Sequence, residues 1–237
     1  MKFDRKKTGC LILVMMACLL FVMAKWRTED SKTANILGIY TLKDYAGTKQ
    51  NEEQKRVALT FDDGPHPIYT EQLLDGLAER NVKVTFFVTG ENASLHSDIV
   101  LRMYKEGHLI GNHTYSHIAL NRNNRKEFRE ELIKTNQCIE EITGEEVLFV
   151  RPPYGSWDKT LEKELNMFPV LWNVDPLDWC TDCPGTVVRR IMANVDDGDI
   201  ILMHDYYGSS VTAALSVVDQ LLEQGYEFVT VDEIILE

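Results

Sequence analysis

The chain alternates short apolar runs with longer stretches in which apolar residues recur every three or four positions. Residues 56–61, 83–88, 108–111, 147–150, 170–174, 199–204 and 227–231 are short and apolar, and read as strands. Residues 70–80, 97–106, 125–143, 159–166, 185–194 and 210–224 read as helices. The longest places Phe128, Leu132, Ile139 and Ile142 at helical spacing, and Gly144 follows as a stop; Gly107 and Gly225 end two others in the same way. Strand and helix in strict alternation predict a mainly parallel sheet covered by helices.

An open doubly wound sheet and a closed barrel share that alternation. The position of the unusual polar residues favours one of them. They follow the strands, near residues 61, 111, 150, 174 and 203. In a barrel all strand C-termini meet at one mouth, whereas the outer strands of an open sheet stay apart. If these groups form one site, the fold is α/β: a distorted, incomplete (β/α) barrel of about seven strands, TIM-like, spanning residues 55–237.

The N-terminus differs in kind. Lys2, Arg5, Lys6 and Lys7 precede an uncharged stretch over 8–24, followed by Lys25, Trp26 and Arg27. A basic start before an apolar run is a secretory-pathway signal with the basic end left inside. Residues 1–27 read as an uncleaved signal-anchor, with Val22-Met23-Ala24 leaving a cleaved signal peptide as the alternative. Residues 28–54 read as a linker. The expected location is the cell membrane with the catalytic domain outside, or secretion to the cell wall. A formal net charge of −12 over 237 residues argues against a nucleic-acid partner. Of five cysteines, Cys180 and Cys183 form a Cys-Thr-Asp-Cys pair that either closes a small disulfide or stays as two thiols.

The first strand runs into Thr60-Phe61-Asp62-Asp63-Gly64-Pro65. Neighbouring residues of an extended chain point opposite ways, so a bend here gives two carboxylates two tasks: one can bind a metal and the other handle a proton. After the third strand, His113 and His117 stand four apart, a spacing that brings two imidazoles to one face of a helical turn. Two histidines and one aspartate make a metal set with open positions; Zn²⁺ suits it, and Co²⁺, Ni²⁺ or Fe²⁺ also fit. In Arg151-Pro152-Pro153-Tyr154 the prolines stiffen the backbone and remove two donors, so the Tyr154 N–H becomes a fixed donor for an oxyanion. Arg151 can pair with a carboxylate. His204 closes an apolar strand and, with a carboxylate nearby, becomes a general acid. Trp179 and Leu202 would wall a small apolar pocket.

Together these residues resemble the carbohydrate esterase family 4 polysaccharide deacetylases. The resemblance runs from about Lys55 to the C-terminus and includes five motifs in order: Thr60-Phe61-Asp62-Asp63-Gly64-Pro65, His113-Thr114-Tyr115-Ser116-His117, Arg151-Pro152-Pro153-Tyr154, Asp175-Pro176-Leu177-Asp178-Trp179 and Ile201-Leu202-Met203-His204. It implies metal-dependent removal of N-acetyl groups. By position it implies Asp63, His113 and His117 as metal ligands, Asp62 as general base for the attacking water, and His204 as the acid that protonates the leaving amine. It also implies Arg151 and Asp178 as partners of Asp62 and His204, the Tyr154 N–H as oxyanion donor, and Trp179 and Leu202 around the acetyl methyl.

The expected substrate is N-acetylglucosamine in peptidoglycan, because a compact, anchored, outward-facing enzyme meets cell wall first. Chitin oligosaccharides, poly-N-acetylglucosamine and O-acetyl esters are alternatives, and a non-catalytic carbohydrate-binding protein is a further one. The expected state is a monomer.

Overall fold

The computed structural model describes residues 54–236. The expected membrane segment, nearly all of the linker, Cys10 and Cys18 lie outside the described residues. Among the described residues no helix is long and apolar enough to cross a membrane.

Seven strands form one parallel sheet: β1 (Arg56–Asp62), β2 (Thr85–Val88), β3 (Leu109–Asn112), β4 (Phe149–Val150), β5 (Phe168–Pro169), β6 (Asp199–His204) and β7 (Glu227–Phe228). Their order is β5-β4-β3-β2-β1-β6, and β7 pairs with β1. Among the described residues eight α-helices accompany them: α1 (Tyr69–Arg80), α2 (Gly90–Leu95), α3 (Ser97–Lys105), α4 (Arg125–Thr143), α5 (Lys159–Leu165), α6 (Pro184–Met192), α7 (Gly208–Glu223) and α8 (Val231–Ile235). β1 is the centre. Six of its seven residues are buried, and it is hydrogen-bonded along both edges. A strand covered on both faces reads as continuous apolar sequence, which is why Val57, Ala58, Leu59 and Phe61 show no alternation.

The sheet curls, and one pairing joins its ends. After β5 the chain changes partner: Val170 N–H still donates to the Val150 carbonyl of β4, but Asn173 N–H donates to Ile200 and Leu202 N–H to Val174. Val174 and Ile201 form a lone parallel bridge. The expectation of a strand over 170–174 is therefore corrected to a crossing segment between β4 and β6. The carbonyls of Val170 and Leu171 do not enter a ladder, because the Arg151 guanidinium donates to both, at 3.2 and 3.3 Å. The parallel sheet of about seven strands agrees with the expected α/β barrel, in an irregular form. Two helices were not foreseen, α2 and α8; α8 follows its N-cap Thr230, whose side chain and Glu233 cap it reciprocally.

Candidate active site

Every candidate residue lies at the C-terminal end of a strand or in the loop behind it. Asp62 ends β1, and its direct partner across the sheet is His204, which ends β6. The chain then bends: Asp63 takes φ 74°, the left-handed region that short polar side chains tolerate. The bend separates the two carboxylates as expected. Asp62 is buried and faces Arg151, while Asp63 faces the two histidines.

The histidine spacing is reached by a different route from the one expected. Residues 113–117 are not a helical turn. Thr114 (φ 63°) and His117 (φ 57°) both adopt left-handed backbone. The loop's N–H groups are claimed by side chains instead of a helical ladder. Thr114 N–H donates to Asn112 Oδ1, and Tyr115 and Ser116 N–H both donate to Glu131 Oε2 on α4. The imidazoles still converge, with ring centres 4.9 Å apart.

Asp63 Oδ1 is 3.4 Å from His113 Nε2 and 3.4 Å from His117 Nε2. It is buried without a hydrogen-bond partner, an arrangement that is costly unless something else satisfies it. Two donors bound to one ion at about 2.0–2.1 Å and a tetrahedral angle lie about 3.4 Å apart. The three side chains therefore fit a divalent metal: one oxygen and two nitrogens, all within 4.8 Å of one another. His113 Nδ1 is 2.6 Å from the Arg151 carbonyl, which can only accept. The proton must then sit on Nδ1, leaving the Nε2 lone pair facing Asp63. Burial disfavours charge on His113, but Asp62 and Asp63 override it and raise its pKa. Burial likewise opposes ionisation of Asp63, and His113, His117 and His204 pull its pKa down. Burial holds the pKa of His117 below the ordinary imidazole value, although Asp63 opposes it.

Two charged side chains flank this set, each with a buried partner of opposite sign. Arg151 is wholly buried. It donates to Asp62 Oδ1 at 2.9 Å and to the Thr60 hydroxyl at 2.5 Å, and it packs 4.3 Å over the Phe87 ring. Burial pulls the guanidinium's pKa down and Asp62 counters it; an arginine nevertheless remains a cation in proteins. On the other side, Asp178 accepts from His204 N–H and Nδ1, both at 2.9 Å, and from the Ser210 hydroxyl at 2.6 Å. Burial works against a charged His204, but its hydrogen bond to Asp178 and the charges of Asp178, Asp62 and Asp63 prevail, pushing it up to about 9.

A cavity of about 480 Å³ joins these groups, lined by Asp62, Asp63, His113, His117, Tyr154 and His204. Trp179, Leu202, Trp172 and Tyr207 complete its wall. Tyr154 has φ 59°, and its ring stands against His117 at 5.2 Å. All ten candidate residues are thus at one site. Sequence reasoning missed Thr60, Ser210, Trp172 and Tyr207. Thr60 had a signal: two positions before Asp62, it shares a strand face with it. Ser210 had none, because only the packing of α7 brings it to Asp178. Cys180 and Cys183 are exposed free thiols, which leaves the pair unlinked here.

The model of the polysaccharide deacetylase family matches residues 49–170. The chain is 42% identical over 181 residues to the peptidoglycan-N-acetylmuramic acid deacetylase PdaC of Bacillus subtilis, covering 76% of this chain and 39% of that protein. It is 35% identical over 190 residues to a peptidoglycan-N-acetylglucosamine deacetylase of Bacillus cereus, covering 77% and 89%. The solved structure of Bacillus subtilis peptidoglycan deacetylase PdaC superposes with a TM-score of 0.74 at 42% identity, over 77% of this chain and 90% of that one.

Proposed function

Because the chain belongs to the polysaccharide deacetylase family, we propose that it is a metal-dependent hydrolase that removes N-acetyl groups from N-acetylglucosamine of peptidoglycan. One observation carries this reading: Asp62 and His204 are cross-strand partners that line one cavity with the Asp63–His113–His117 set. That is an acid–base pair beside a metal site.

Asp63, His113 and His117 would hold the ion, with zinc suited to two nitrogens and one oxygen. When bound, it supplies Lewis acidity toward the acetamide carbonyl and lowers the pKa of water. Asp62 takes the proton from the attacking water; its ion pair with Arg151 supports that role by holding one carboxylate oxygen in place. The Tyr154 N–H, fixed behind two prolines, donates to the oxyanion. His204 delivers a proton to the departing nitrogen, a role supported by its raised pKa, which keeps it charged at neutral pH. Asp178 orients His204. Trp179 and Leu202 receive the acetyl methyl, and Trp172 extends the same apolar wall. The N-terminal basic and apolar segment would hold the domain outside the membrane, as a monomer, where peptidoglycan lies.

Acetate release from peptidoglycan and from chitin oligomers, with and without a chelator, tests the reading. The expected result is acetate from peptidoglycan with glucosamine formed, stopped by chelation. Muramic acid formed in place of glucosamine would move the reaction to the other sugar of the wall. In Asp62→Asn, activity falls by about 10²–10⁴-fold while metal content stays near wild type. Loss of metal in that variant would show that the roles of the two aspartates are exchanged. No acetate from any sugar with metal bound would leave a carbohydrate-binding protein, and release from O-acetylated xylan alone would make it an esterase.

A further inference from the structure

The three side chains that fit a metal ion come from two loops. Asp63 follows β1, and His113 and His117 follow β3. Neither loop holds its shape unaided. Asp63, Thr114 and His117 have φ of 74°, 63° and 57°, left-handed backbone that residues other than glycine adopt only where the surroundings impose it. Released, residues 113–117 would spread over helical and extended conformers, and the two imidazoles would no longer face one point.

Helix α2, which the sequence pattern did not announce, spans the two loops. Thr89 N–H, at its N-cap, donates to the Gly64 carbonyl at 3.2 Å. Gly90 N–H donates to Thr114 and Glu91 N–H to Tyr115, both at 2.9 Å. Asn92 adds a side chain, its Nδ2 donating to the Asp63 carbonyl at 2.7 Å. From the other side, Glu131 of α4 takes the donors of the histidine loop. Its Oε2 accepts from Tyr115 N–H at 2.9 Å and from Ser116 N–H at 2.6 Å, and the Ser116 hydroxyl lies 3.1 Å from both carboxylate oxygens. Among the described residues, every hydrogen bond to this carboxylate comes from that one loop. The three segments meet closely: a Cβ on Gly90 would stand 2.4 Å from the Tyr115 ring and 2.6 Å from Thr135 Oγ1 on α4.

We propose that Asn92 and Glu131 are positioning residues that pre-form the metal site, each holding the backbone of one ligand-bearing loop and neither belonging to the ligand set. The inference rests on the reading of Asp63, His113 and His117 as metal ligands and deepens it. Hydrogen bonds made before the ion arrives fix both loops, so the ion meets three converging donors and does not have to order the backbone itself. Asn92 acts on Asp63 through the bend that aims its carboxylate. Glu131 acts on both imidazoles at once, because the N–H groups it holds lie between them in sequence.

The test is the Zn²⁺ affinity of the full chain, stripped of metal and titrated in competition with a chromophoric chelator. Glu131→Ala and Asn92→Ala should each raise the Kd by about 10–100-fold, the scale of a lost outer partner of a metal site. Glu131→Gln should keep the wild-type Kd, because one amide oxygen can accept both N–H groups. Co²⁺ gives a second readout: its visible absorption bands should shift in Glu131→Ala and match wild type in Glu131→Gln. Lower global stability moves the denaturant midpoint but not the Kd of the folded protein, so affinity measured without denaturant separates positioning from support of the fold. Should Glu131→Ala fail to fold, Glu131→Asp takes its place: it keeps the charge but draws it back by one methylene, and it should also bind more weakly. A wild-type Kd in the Glu131 truncation or in Asn92→Ala would overturn the proposal. So would a Glu131→Gln as weak as the truncation, which would make charge the cause. A wild type that binds neither ion overturns the metal reading, and this inference with it.

Discussion

The two flanks of the Asp63–His113–His117 set solve one problem in different ways. On each, a charged side chain, Asp62 or His204, is held by a buried partner of opposite sign. Arg151 holds Asp62 from inside the barrel, wedged between the Phe87 ring, the Thr60 hydroxyl and two backbone carbonyls. Asp178 holds His204 from a single 3₁₀ turn, Asp178–Cys180, whose next residues are exposed. Arg151 therefore organises backbone as well as charge: it takes the carbonyls that would have made residues 170–174 a strand. Asp178 organises one imidazole. The first partner belongs to the fold and the second to the site.

The sharpest way to break this contrast is Arg151→Met. It leaves Asp62 as an unpaired buried carboxylate and frees two backbone carbonyls, that of Val170 buried. A loss of about 3–5 kcal/mol of stability is expected, together with loss of activity, as read by denaturant unfolding and acetate release. A variant with wild-type stability would show that Arg151 serves the site alone.

Asp178→Asn should do less to the fold and more to the pH dependence. Its expected loss is about 1.5–3 kcal/mol, that of a hydrogen bond to a charged group. His204 has a folded pKa of about 9, above its ordinary 6.5. Its contribution is therefore fully present below about pH 6.5 and fades as pH rises through 9. The gap in stability between wild type and Asp178→Asn, measured in metal-free protein, should be widest in acid and close above pH 9. Because the acid must be protonated, the alkaline limb of kcat/KM should move to lower pH in the variant. A limb that stays in place would remove His204 from the acid's role.

The smallest expected effect belongs to a carboxyl that, among the described residues, forms no ion pair. Asp205 is fully buried, one of its oxygens has no partner, and the other accepts from the Thr70 hydroxyl. Burial, only partly offset by Thr70, pushes it up to about 7. A carboxyl whose folded pKa is raised loses stability as pH climbs from its unfolded value near 4 to about 7. Asp205→Asn carries no such charge, so its stability relative to wild type should grow across that window and level off above it. A flat difference would mean that Asp205 is ionised in the fold.

The strand ends were legible because each motif follows an apolar run closely, and a parallel sheet gathers such ends on one side. The histidine pair was legible as a pair but not as a loop. Its spacing of four is also a helix spacing, and the side chains that override the helix, Asn112 and Glu131, belong to neighbouring elements. The strand expected over 170–174 failed for a related reason: its apolar residues are real, but its carbonyls answer to an arginine 19 and 20 residues away. Thr60 was within reach of period-two reasoning, whereas Ser210 depended on how α7 packs.

The sequence by itself determined the kinds of chemistry present, the alternation of elements and the placing of reactive residues after strands, because these depend on neighbours a few positions apart. Strand order and register were decided only in the tertiary structure. Placing β1 between β2 and β6 made Asp62 and His204 partners, although 142 positions in sequence separate them. Pairing β4 with β3 likewise set the Arg151 carbonyl against His113. Those pairings come from hydrogen bonding and burial between distant segments, and no local period in the chain records them.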